Sequence, residues 1–148
     1  MKQRIFYALM LLAAPLMLLS QDNANEVTGV WYNEEKDARF EIYEEDGAYF
    51  GRIIWLKEPL DPETGEPKVD DENPEEALQS RPLKGLVFMK DFVFEEKGLW
   101  EDGEIYDPKS GKTYDCYLKL ETPDKLKVRG YVGISLLGRT SKWTRAKK

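Results

Sequence analysis

Leu99-Trp-Glu-Asp-Gly-Glu-Ile-Tyr-Asp-Pro-Lys-Ser-Gly-Lys-Thr-Tyr-Asp-Cys-Tyr-Leu-Lys-Leu120 reads as two strands joined by a tight turn, and the chain around it repeats that pattern. Asp107 opens the turn, Pro108 fixes φ near the type I value, and Gly111 supplies the positive φ where the chain re-enters the sheet. The turn chemistry therefore fixes the register. Over 113–121 the period of two places Tyr114, Cys116, Leu118 and Leu120 on one face and Asp115, Tyr117, Lys119 and Glu121 on the other. Cys116 is expected as a buried small hydrophobe, because no neighbour on its face lowers a thiol pKa. Gly111-Lys112-Thr113 is not a phosphate loop, which needs a glycine where Tyr106 stands.

Working outward, the same alternation predicts strands over 27–33, 39–45, 48–57, 86–95, 125–132 and 135–145, which with the two arms of the hairpin makes eight. Asp46-Gly47 is a strong two-residue hairpin turn. The third strand carries bulk on both faces, Phe50, Ile54 and Leu56 against Tyr49, Ile53 and Trp55, so it is covered on both sides or lines a cavity. Many short strands, Gly or Pro turns and little helix indicate one mainly β domain, a sandwich or a closed antiparallel barrel, over 27–146. The segment 57–84 departs from the pattern: five prolines, and nine acids against Lys57 and Lys68 between positions 57 and 76. It is expected to be a lid loop holding one short helix at 73–80, with Asn73 as N-cap, Pro74 at the first turn and Pro82 as the stop. Asp61 to Glu66 lacks EF-hand spacing, so the acids read as solvated charge and no metal or cofactor is expected.

Residues 1–20 carry Lys2 and Arg4, then no charge from Ile5 to Leu19, then Ser20, the pattern of a secretory signal peptide, followed by a short tail over 21–26. The expected location is therefore periplasmic or secreted. No cysteine lies near the cleavage region to be acylated, and no membrane span is expected after cleavage. Removing two of the 22 bases leaves 20 against 28 acids, a net of −8 that disfavours nucleic acid. The chain has no histidine, which removes a Ser-His-Asp triad, a His general base and His metal ligands. Cys116 stands alone, so no intrachain disulfide forms. Nothing in the sequence sets an oligomeric state.

The chain ends suggest a pairing. Gly29-Val30-Trp31 opens the first strand, and Arg139, Trp143 and Arg145 share one parity on the last. In a closed barrel these strands are neighbours, and Trp31, Trp143 and Arg145 would form the closure, a guanidinium stacked on an indole. Core aromatics with surface arginines fit the same residues.

Gly-x-Trp near the start with Arg near the end resembles the calycin superfamily of lipocalins and fatty-acid-binding proteins. A longer ordered string runs through Gly29-x-Trp31, Gly51-Arg52-Ile53, Asn73-Pro74, Arg81-Pro82-Leu83-x-Gly85-Leu86, Gly103 to Pro108, Gly111 to Tyr114, Leu126 to Tyr131, Gly138-Arg139-Thr140 and Trp143-Thr144-Arg145. It resembles the exported bacterial family called domain of unknown function number 2147. The resemblance implies an envelope location and a calycin-like, up-and-down barrel of about eight strands, without a mechanism. Two functions are compatible with these readings. One is an exported binding protein for a small apolar or amphipathic ligand, with Arg139 and Arg129 as candidates for a ligand carboxylate, Tyr106 and Tyr114 at a barrel mouth, and the Asn73 to Arg81 lid closing over them. The other is a non-enzymatic interaction or envelope-stress module with a filled barrel, in which Asn73 and Arg81 anchor the long loop. No catalytic constellation can be assembled.

Overall fold

Eight strands wind into a closed antiparallel barrel, each hydrogen-bonded to the next and the last to the first, in a computed structural model that describes residues 23–147. The leader expected over 1–20 lies outside the described residues. In chain order the strands are β1 (Gly29–Tyr32), β2 (Ala38–Glu45), β3 (Ala48–Leu56), β4 (Val87–Glu96), β5 (Leu99–Asp107), β6 (Lys112–Thr122), β7 (Lys125–Tyr131) and β8 (Gly138–Arg145). The turns form where the sequence supplies left-handed backbone. Asp46 and Gly47 sit at φ 51° and 81°, which matches the twist of the two strands they join, and Gly111 at φ 69° ends the β5–β6 connection. The last strand begins at Gly138, later than the alternation predicts, so residues 132–137 belong to the β7–β8 loop.

The helix expected at 73–80 is a single 3-10 turn, Glu76–Leu78, with extended backbone at Glu75 just before it. Asn73 does not cap it. Its side-chain oxygen instead accepts from the Glu75 backbone N–H at 2.8 Å, while its amide group turns inward. Between Pro74 and Pro82 there are too few residues to repay the cost of nucleating an α-helix.

An eight-stranded barrel has an interior just wide enough for side chains to fill or for one small ligand. At one end, a 3-10 turn at Asn25–Val27 lies across the opening. The Trp31 indole N–H donates to the Val27 carbonyl at 2.9 Å, that of Trp100 to Ala24 at 3.0 Å, and the Tyr49 hydroxyl bonds Asn25 Oδ1 at 2.8 Å. Further in, Phe40 of β2 meets Phe88 of β4 and Trp143 of β8, each with centroids 4.6 Å apart, and Phe88 lies 6.3 Å from Trp143. None of these three strands neighbours another, so the rings touch across the barrel and plug it at that level. Cys116, Leu118 and Leu126 are fully buried between the layers, as is Met89, and a Cβ on Gly103 would overlap the Phe92 ring, so close packing there requires glycine.

β3 is covered on both sides. Tyr49 and Ile53 enter the core; outside, Phe50 stacks on Tyr43 at 5.9 Å, and Trp55 meets the edge of Tyr32 with the Arg39 guanidinium 4.7 Å from its ring.

The barrel closes where Trp31 pairs with Arg145 and Tyr32 with Thr144. The Arg145 guanidinium lies 4.2 Å from the Trp31 ring centroid and donates to the carbonyls of Glu26, Thr28 and Pro123 at 2.7, 2.8 and 2.8 Å. A cation over an indole, with its remaining donors spent on backbone, seals the seam.

Candidate functional site

The residues singled out by sequence fall into three separate places. The first is a latch in the long loop. That loop is ordered by two isolated bridges, Leu60 with Pro67 and Val69 with Pro82, which bring Asp70 inward until its side chain is fully buried. Burying a carboxylate is costly unless it is paired and fully hydrogen-bonded. Here Oδ2 accepts from Arg81 Nε, Arg81 Nη2 and Asn73 Nδ2, each at 2.8 Å, and Oδ1 accepts from the Tyr106 hydroxyl at 2.6 Å. Asn73, Arg81 and Tyr106 therefore converge, but on a carboxylate that the sequence did not single out. The signal was present in outline: Arg81 needed an acidic partner among the nine carboxylates of its own loop. Burial, then the hydrogen bond and negative charge of Asp70, push the Tyr106 phenol up to about 12.

Tyr106 and Tyr114 do not meet. Ile105 pairs with Tyr114, and Tyr106 with Thr113, so the two tyrosines lie on opposite faces of the β5–β6 hairpin. Tyr114 shares the inner face with Cys116, whereas Tyr106 holds the loop from outside. The same loop backs onto the β5–β6 turn, where a Cβ on Gly111 would overlap the Glu72 carbonyl. Between the loop and the end of β3 lies an apolar groove of about 180 Å³, lined by Leu56, Pro59, Leu60, Pro67 and Pro82 with Lys68 and Lys84. It is smaller than the roughly 300–1,000 Å³ of ordinary small-molecule sites.

The second place is the barrel mouth above the ring plug. Arg139 of β8 pairs with Gly130 of β7, which Ile105 and Tyr114 face from inside, the Ile105 Cγ2 and the Tyr114 Cβ 3.5 and 3.7 Å from the position a Cβ would take. Ser141, on the same parity as Arg139 and Trp143, accepts the Trp143 indole N–H at 3.1 Å. Ile105, Tyr114, Gly130 and Ser141 are half-buried and Arg139 is exposed, with no ion-pair partner among the described residues. The third place is outside. Arg129 faces away from the interior, since Val128 beside it is buried, and it grips the β7–β8 loop: Nε and Nη2 donate to the Ser135 carbonyl at 3.0 and 2.7 Å, Nη2 to Leu136 at 3.3 Å and Nη1 to Thr140 Oγ1 at 3.0 Å. Its donors are committed to its own chain.

Cys116 is fully buried, and burial pushes its thiol up to about 12. Two outcomes are expected. Thiol reagents at pH 8 modify the native protein only at the rate of its unfolding, and at once in denaturant. Both raised groups also hold their protons longer in the folded state than in the unfolded one. Their contribution to stability is complete below pH 9 for Cys116 and below pH 10 for Tyr106, and is lost as pH rises toward 12. Urea midpoints measured from pH 8 to 11 should fall, and Cys116→Ala with Tyr106→Phe should flatten the slope. Among the described residues no cluster of three or more Cys, Asp or Glu side chains has the makings of a metal site.

Comparison with known proteins places this geometry in a family. The family described as "Uncharacterized protein conserved in bacteria", domain of unknown function 2147, matches residues 29–145, and the chain belongs to it. No curated protein matches. Among solved structures, protein HP1028 from Helicobacter pylori, described as belonging to the lipocalin family, is similar at TM-score 0.71 with 24% identity, over 82% of this chain and 84% of that one. A redesigned β-barrel is similar at TM-score 0.44 and 12% identity, over 84% of this chain and 96% of that one. The likeness to HP1028 establishes a lipocalin-like barrel.

Proposed function

We propose that this member of the domain of unknown function 2147 family is an exported, non-catalytic binding protein that takes a small amphipathic ligand at the barrel mouth. The observation that carries the reading is the composition of that mouth. Apolar Ile105 and the Tyr114 ring stand beside an exposed Arg139 without an ion-pair partner among the described residues, above the layer of Phe40, Phe88 and Trp143. An apolar wall beside one free guanidinium suits a short acyl chain ending in a carboxylate, which arginine holds bidentately. Export rests on the leader pattern of residues 1–20. The plug of rings limits the ligand to a short one, because no chain can pass it without moving Phe40.

The same plug favours a second reading, a filled barrel that acts through its surface with no internal ligand. One experiment separates the two. Native mass spectrometry of protein recovered from envelope extract, and tryptophan fluorescence titration with octanoate and decanoate, should reveal a bound mass and a saturable change through Trp143 beneath the mouth. Arg139→Gln should weaken that binding about tenfold, the worth of one charge-assisted pair. No bound mass and no fluorescence change would leave the filled-barrel reading standing.

A further inference from the structure

The charge of this acidic chain is sharply segregated. Residues 125–148 hold eight of its 22 Lys and Arg residues and none of its 28 Asp and Glu residues. They form the β7–β8 hairpin and the end of the chain. On the outer face Lys119 pairs with Lys127, and Lys127 with Lys142, a row of three lysines across β6, β7 and β8. Like charges directly opposite one another destabilise a sheet. Glu121 beside them, which bonds Lys142, has its carboxyl held below the usual range by that bond and by the charges of Lys142, Lys127 and Lys119. One carboxylate serves three ammonium groups.

Above this row the hairpin ends in an uncharged loop, Val132-Gly-Ile-Ser-Leu-Leu-Gly138. Val132, Ile134, Leu136 and Leu137 are all exposed, Leu136 to 83%. These are four of the seven large hydrophobics exposed among the described residues, gathered within six positions. The carbonyls of the loop are largely satisfied by the chain itself, while the N–H groups of Gly133, Ser135 and Leu136 stay open to water or headgroups. Val132 N–H donates to Leu137, Ile134 N–H to Val132 and Leu137 N–H to Ile134, while Arg129 from below takes the carbonyls of Ser135 and Leu136. A loop facing water does not need its carbonyls satisfied from within, whereas a loop entering an apolar medium does.

We propose that the β7–β8 hairpin is a peripheral membrane-binding element, its 132–137 loop entering the headgroup region of a bilayer while the Lys119, Lys127, Lys142 row meets anionic lipid phosphates. Tyr131 precedes the loop, where an amphipathic ring favours the interface. An acidic protein could answer the lysines, but an aliphatic tip of four exposed side chains, its carbonyls taken up by its own chain, answers to acyl chains. Apolar insertion combined with a basic patch is the pairing of signals that reversible membrane attachment requires. The assignment is independent of what the barrel mouth holds.

The test uses soluble protein expressed with its own leader, carrying Leu136→Cys labelled with an environment-sensitive nitrobenzoxadiazole. Cys116 is buried, so the label goes to the loop alone. Vesicles of phosphatidylcholine with about one third phosphatidylglycerol should raise and blue-shift the label's emission, and lipid-borne quenchers should reach it. Leu136→Asp with Leu137→Asp, both on exposed side chains, should reduce co-sedimentation of the unlabelled protein about tenfold, as should Lys127→Gln with Lys142→Gln. Pure phosphatidylcholine or high salt should act in the same direction. Binding that ignores the aspartate pair, with a label that stays in water, would overturn the proposal, as would no binding to the anionic vesicles.

Discussion

Asp70→Ala is expected to lower the free energy of unfolding by about 3 kcal/mol, near the lower edge of the range for breaking a buried ion pair. The lower edge applies because the two partners differ in burial: the Asp70 side chain is 0% exposed and that of Arg81 34%. Arg81 therefore recovers water when its partner is removed. The Tyr106 hydroxyl and the Asn73 amide do so less readily, and an unmade hydrogen bond from a covered donor costs about 1–3 kcal/mol. Asp70→Asn should do little better, because it turns a carboxylate oxygen that accepts hydrogen bonds into a donor among donors. Tyr106→Phe should cost about 1–3 kcal/mol: Asp70 keeps the two bonds to Arg81 and the one to Asn73, all on Oδ2, but its buried Oδ1 loses its one donor. Urea unfolding gives the energies, and limited proteolysis within 57–84 reports whether the loop has come loose. A stable Asp70→Ala protein whose loop resists protease would show that the latch does not hold the loop.

Arg145→Ala is expected to cost about 2–4 kcal/mol. Three hydrogen bonds from a cation to carbonyls are lost together with a ring contact worth about 1–2 kcal/mol when partly desolvated. The three acceptors lie on two segments, Glu26 and Thr28 before β1 and Pro123 in the β6–β7 turn, so the guanidinium ties both to the seam. Arg145→Lys keeps the charge but not the planar fork, and it should recover less than half of the loss. Hydrogen exchange at 28–32, compared with urea unfolding, distinguishes an opened seam from a uniformly weakened barrel. Full rescue by lysine would mean that charge alone matters.

The architecture was legible because it depends on local chemistry repeated many times. Alternation placed Cys116 and Leu118 inside, Asp46-Gly47 and Asp107 to Gly111 set two registers, and the parity shared by Trp143 and Arg145 aligned the last strand with Gly29-x-Trp31. The site was less legible because it depends on differences that a pattern averages away. Asp70 is one of nine acids in a run that reads as solvated, and only the tertiary path of the loop removes it from water. Tyr106 and Tyr114 stand at the two ends of one turn and look like partners. The register that pairs Tyr106 with Thr113 sends them to opposite faces. Residues 135–137 of the loop merged into the final strand because Leu136 continues its alternation, and Gly138 alone marks the true start.

The seam between β1 and β8 also sets an order of events. Seven of the eight strand pairings join consecutive strands, and each forms as a local hairpin or across one loop. The eighth joins groups as far apart as Thr28 and Arg145, 117 positions along the chain. A nascent chain can thus build a curled sheet early but cannot close it until its final strand exists, and during that interval both rims offer unpaired backbone to other chains. The brevity of β1, four residues against eight to eleven for β2 through β6, keeps one of those rims small while it waits.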